Sequence, residues 1–146
     1  MVTLFLESVL AKLKSYRPFA DFMRASSHDE FPCTMYGPKG SFLAVMLAAL
    51  QKQRRRTILC VLPSEKEAET LMRDCLAFGL DAAHFPWWQA APYSEQPAHS
   101  NIAARRAAVL KDLVTGQSGI VCVSTRALMS RLPPVEHTAE RILTLR

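Results

Sequence analysis

The chain lacks any apolar stretch near the roughly 20 residues that a bilayer-spanning helix requires. Its start, Met1-Val2-Thr3-Leu4-Phe5-Leu6-Glu7, has no basic leader and meets an acid too early for a signal peptide. The expected location is therefore the cytoplasm. No C-x-x-C pair occurs, and Cys33, Cys60, Cys75 and Cys122 are widely spaced. Three of them lie in apolar strand-like runs, where cysteine behaves as a small hydrophobe. His28, His84, His99 and His137 are equally scattered. These spacings argue against a zinc site or a disulfide framework and for reduced, buried thiols, with no metal expected. Internal repeats and low-complexity segments are also missing.

What remains is globular composition: 49% hydrophobic and 21% charged residues in 146, enough for one domain with a real core. Eighteen Lys and Arg against 13 Asp and Glu give a net charge of +5. That balance permits contact with nucleic acid without establishing it. The densest basic cluster is Lys52-Gln53-Arg54-Arg55-Arg56. It reads either as a solvated helix end, where cations complement the macrodipole, or as a set of contacts to a DNA backbone through Arg54, Arg55 and Arg56.

Hydrophobic periodicity organises the chain. Phe5 to Leu13 predicts an amphipathic helix, and Phe19 to Met23 a further turn. Phe31 to Tyr36 can form a short buried strand, followed by the turn Gly37 to Ser41 and an apolar helix from Phe42 to Leu50. Thr57 to Leu62 is a continuous apolar run, the pattern of a strand covered on both faces. Pro63 ends it, and Ser64 with Glu67 forms a capping box for a helix that Gly79 terminates. Ala82 to Phe85 predicts a weaker strand, Trp87 to Ser100 a loop, and Ile102 to Leu113 a helix closed by Gly116. Gly119 to Ser124 is another buried strand, Thr125 to Arg131 a short helix, and Arg141 to Arg146 a final strand. Alternation of this kind implies an α/β fold with a mostly parallel sheet flanked by helices. A strand running into the last residue suggests a truncated chain, or the first module of something longer.

Residues 37 to 44 have the outline of a phosphate-binding loop without its chemistry. In G-x-x-x-x-G-K-[ST], a Lys reaches the β/γ-phosphates and a hydroxyl reaches Mg²⁺. Counted from Gly37, those slots hold Phe42, Leu43 and Ala44, while Lys39, Gly40 and Ser41 fall inside the turn. An ordinary strand–turn–helix connection fits the same residues. Leu62-Pro63-Ser64 and Ser124-Thr125-Arg126 have the form of helix N-termini that can hold a nucleic-acid backbone, and equally of plain helix caps.

A more distinctive stretch is Phe85-Pro86-Trp87-Trp88-Gln89-Ala90-Ala91-Pro92-Tyr93, followed by Ile102 with Arg105-Arg106, by Ile120-Val121-Cys122-Val123-Ser124, and by Ser130-Arg131-Leu132-Pro133-Pro134. Over about residues 31 to 146 this order resembles the N-terminal module of the bacterial transcription-repair coupling factor family (Mfd), itself similar to the first domain of the excision-repair protein UvrB. That family carries P-x-W-E-x-L-P-Y-D, I-x-x-x-R and Q-R-L-P-P stretches. Gln89, Ala91 and Ser94 depart from its usual Glu, Leu and Asp, and Pro97 comes one residue early. The resemblance implies an N-terminal helical segment at 1–30 and a UvrB-like, degenerate P-loop NTPase/helicase-like lobe at 31–146. It also implies a non-catalytic role with no cofactor in this chain. Pro86, Trp88, Pro92 and Tyr93 would shape the motif loop, anchored by Arg105 or Arg106. In the full-length family, ATP and Mg²⁺ serve motor domains that translocate on DNA, and RNA polymerase is contacted by a separate module. UvrA is recruited mainly through an adjoining domain, whose contact residues would lie beyond Arg146. The alternative is a nucleotide- or DNA-backbone-binding helicase-like module.

Overall fold

A computed structural model describes residues 2–54, 56–89, 99–117 and 119–142. Helices α1 (Val2–Leu13), α2 (Arg17–Ser27) and α3 (Ser41–Arg54) come first. Then follow β1 (Ile58–Leu62), α4 (Glu65–Ala77), β2 (Ala82–Phe85), α5 (Ser100–Val114), β3 (Ile120–Ser124), α6 (Thr125–Leu128) and α7 (Val135–Glu140). The three strands form one parallel sheet in the order β1-β3-β2, so the last strand inserts between the first two. The fold is α/β. No helix among the described residues is long and apolar enough to cross a membrane.

The local signals explain the elements. Ser64 caps α4 by accepting the Glu67 backbone N–H at 3.2 Å, the first half of a capping box, while the Glu67 carboxylate turns back to accept the Ser64 hydroxyl at 3.0 Å. Gly79 follows α4 with φ +75°, a left-handed conformation that glycine adopts without steric penalty. Gly119 is required for another reason. A Cβ there would lie 2.6 Å from the Asp81 backbone oxygen and 2.3 Å from the Gln51 amide nitrogen.

One face of the sheet is covered by α4 and α3: Ala44, Leu47, Ala68, Leu71 and Cys75 pack on Ile120 and Cys122, with Ile58, Cys60 and Leu62 alongside. The other face is covered by α5 and α6 over β2 and β3, where Val109 and Ala127 meet Phe85, Val121 and Val123. Helix α3 is buried at six consecutive positions, Ala44 to Ala49. It is apolar all round because α1 packs on it through Leu6 and α2 through Phe19. The expected N-terminal helical segment thus consists of two full helices lying on α3.

Three expectations need correction. Phe31 to Tyr36 forms no strand. Met35 packs on the α2–α3 layer instead, and Tyr36 is 93% exposed. Thr57 to Leu62 is not covered on both faces: Leu59 and Val61 are 54% and 50% exposed, because α5 and α6 reach only β2 and β3. Arg141 and Ile142 are not strand, since the helix α7 precedes them directly. The remainder of the expected terminal strand, 143–146, lies outside the described residues.

Candidate functional site at the carboxyl edge of the sheet

All three strands end on the same side, and their carboxyl ends gather Ser64 and Glu65, Phe85 to Trp88, and Ser124 to Arg126. From β1 the chain turns into α4 on one face, whereas from the adjacent β3 it turns into α6 on the other. Such a divergence is where open α/β sheets bind ligands, so this edge is the natural place to look for chemistry.

Glu65 organises it. As the first residue of α4, its carboxylate sits where the helix dipole favours negative charge. One oxygen accepts the Ser124 hydroxyl. The other accepts the Trp87 backbone N–H at 3.1 Å and lies 3.2 Å from His84 Nε2, which makes no aligned hydrogen bond. His84 Nδ1 stands 3.2 Å from Arg105 Nη2. A guanidinium only donates, so Nδ1 accepts and the proton of the neutral ring is on Nε2, facing Glu65. Burial holds the His84 pKa below its ordinary value, with Arg105 acting in the same direction and Glu65 opposing.

Arg106 is the second organiser. Its side chain is buried at 2% exposure. Nη1 donates to the Pro86 carbonyl at 2.6 Å, and the guanidinium lies 4.0 Å from the Phe85 ring and 4.3 Å from the Trp88 ring. Burial lowers its pKa from the ordinary arginine value, and Glu65 opposes that shift. Arg126 stacks 3.5 Å over Trp87. The Pro86–Trp88 strand exit is thereby clamped from α4, α5 and α6. Chemically the arrangement is a clamp. Ser124 is fully buried, donates to Glu65 and accepts the Ala127 N–H, so its hydroxyl serves the clamp on both sides.

The structure brings Pro86, Trp88 and Arg106 together, whereas Arg105 is exposed and reaches His84 instead; Pro92 and Tyr93 lie outside the described residues. The phosphate-loop outline is elsewhere. Gly37 and Gly40 do make a turn with φ +104° and +56°. Ser41, however, donates its hydroxyl to Asp74 at 3.0 Å, nine residues along α4 from Glu65. That is about 14 Å down the helix axis, towards the amino ends of the strands. Lys39 is exposed, Phe42 and Leu43 are half-buried, and Ala44 is sealed in the core. A phosphate bound at the carboxyl edge could not reach these residues.

The candidate DNA-backbone residues are also divided. Arg54 pairs with Asp29, reaches the Ser26 hydroxyl and lies over the Phe31 ring, which ties it to the α2 end. Arg56 is exposed just before β1, whereas Ser64 stands after it. The five residues of β1 separate them by about 17 Å. Arg55 lies outside the described residues.

The Glu65–His84–Ser124 cluster has no sequence motif, since its members come from three separate elements. The signal that could find it is positional: an acid at a helix start immediately after one strand, a polar residue ending another, and a histidine within a third.

The chain matches no protein-family model and no curated protein. The carboxyl-edge clamp therefore stands on its own geometry.

Proposed function

We propose that this chain is a non-catalytic scaffold: a UvrB-like lobe of a cytoplasmic transcription-repair coupling factor, supporting an adjoining domain that recruits UvrA. The observation that carries the reading is the meeting of two separated pieces of the family pattern. The arginine of Ile102-x-x-x-Arg106 is buried against Pro86 and Trp88 of the motif loop. A buried arginine that holds a loop shape suits a partner-facing scaffold better than an active site.

In the full-length family the motor domains carry ATP, Mg²⁺ and DNA translocation, and another module meets RNA polymerase. The rival reading, a nucleotide- or DNA-backbone-binding helicase-like module, is disfavoured by the distance of the Gly37–Ser41 turn from the carboxyl edge and by the division of Arg56 from Ser64. Calorimetric titration with ATP and Mg²⁺ tests it: no heat of binding is expected up to millimolar nucleotide, and a micromolar dissociation constant would overturn the scaffold reading.

A further inference from the structure

Three cysteines that the sequence scatters are brought together beneath α4. Cys60 and Cys122 are register partners on the adjacent parallel strands β1 and β3, so their side chains leave the sheet on the same face. Cys75 packs into the same layer from α4. Cys122 belongs to the same buried cluster, and Cys60 packs against it. Neighbouring strands run about 4.8 Å apart, inside the Cα separation at which a disulfide closes. Among the described residues no group of three His, Cys, Asp or Glu is arranged to hold a metal ion. Exposure separates the thiols: Cys75 and Cys122 are fully buried, whereas Cys60, on the edge strand, is half-buried.

We propose that Cys60 and Cys122 form a peroxide-responsive thiol pair, with Cys60 oxidised first and Cys122 closing a disulfide between β1 and β3. The Cys60 thiolate attacks one oxygen of hydrogen peroxide and the O–O bond breaks. The sulfur becomes a sulfenic acid, and the departing hydroxide takes a proton to leave as water. The Cys122 thiol then gives up its proton as its sulfur attacks the sulfenic sulfur. The S–O bond breaks, a second water leaves, and the S–S bond forms. Two thiols lose two hydrogens in all, and one peroxide is reduced to two waters.

Exposure assigns the roles: half-buried Cys60 meets peroxide before fully buried Cys122. Interaction with Cys122 lowers the Cys60 pKa despite burial, which favours the nucleophilic thiolate. Cys122 is shifted upward by its contacts with Cys60 and Cys75 and by burial. Cys75 is also lowered by Cys122, but its burial denies peroxide access.

The full chain is treated with hydrogen peroxide, denatured, alkylated with N-ethylmaleimide and mapped by peptide mass spectrometry. The expected product is an intramolecular Cys60–Cys122 link, lighter by two hydrogens and reversed by dithiothreitol, with Cys33 and Cys75 alkylated. The link should persist in Cys75→Ser. In Cys122→Ala, dimedone should trap the sulfenic acid on Cys60. If that variant does not fold, the maps of the native chain and of Cys75→Ser decide the matter. A Cys75–Cys122 link, an intermolecular link, oxidation of Cys33 ahead of Cys60, or complete alkylation of Cys60 and Cys122 after peroxide would overturn the proposal.

Discussion

Arg106→Ala removes the group on which the motif loop is hung, and its effect can be worked from the contacts. The Pro86 carbonyl loses a donor 2.6 Å away; leaving a buried acceptor unpaired costs about 1–3 kcal/mol. The Phe85 and Trp88 rings lose a cation at 4.0 and 4.3 Å, an interaction of about 0.5–2 kcal/mol. Against this, no guanidinium need be desolvated in the variant, and Arg106 Nε has no hydrogen-bond partner to lose. The net destabilisation expected is about 1–4 kcal/mol. Arg106→Met keeps most of the volume and removes the buried charge, so it should cost less, about 1–2 kcal/mol. Urea unfolding followed by tryptophan fluorescence suits the question, because the chain's two tryptophans are Trp87 and Trp88 themselves. The midpoint should fall at constant m. An Arg106→Ala protein within about 0.5 kcal/mol of the native chain would refute the clamp.

Two further changes test neighbouring parts. Ser64→Ala removes the acceptor of the Glu67 N–H and should lower stability by about 1 kcal/mol, read from the same urea midpoint; an unchanged midpoint would deny the cap. His84, faced by Glu65 and Glu69 from α4 and Arg105 from α5, has a pKa below the ordinary 6.5. Between the folded and unfolded values the unfolded chain holds more protons, so stability rises with pH there. Stability is fully present above about pH 6.5 and is lost as pH falls towards the folded value. His84→Gln should flatten that part of the stability–pH curve; an identical slope in both proteins would contradict the assignment.

The parts of the fold legible in the sequence were those with local signals. The Ser64–Glu67 box, Gly79 and Gly116 mark where α4 and α5 begin or end, and the run Ile120 to Ser124 is buried at every position as a central strand must be. Pairing is non-local, and a local apolar run does not encode it. Phe31 to Tyr36 and Ile58 to Leu62 both read as apolar runs, yet the first places Met35 on the helical layer and leaves Phe31 and Tyr36 exposed, and the second is an edge strand with Leu59 and Val61 open. Helix α7 was missed because Val135-Glu136-His137-Thr138-Ala139-Glu140 buries no residue and carries no periodic stripe. At the site, Arg106 was legible through the loop motif. Glu65, His84 and Ser124 were not, because the β1-β3-β2 strand order brings them together and no spacing encodes it.

The scaffold reading is tested most directly by replacement. A full-length coupling factor whose own first lobe is exchanged for residues 1–146 of this chain, α1 and α2 included because they cover α3, is purified, its motor ATPase is checked, and its binding to UvrA is measured. The expected result is UvrA affinity close to that of the parent protein, with a loss when Arg106→Ala is introduced. A folded chimera with an active motor that fails to capture UvrA would contradict the proposed function.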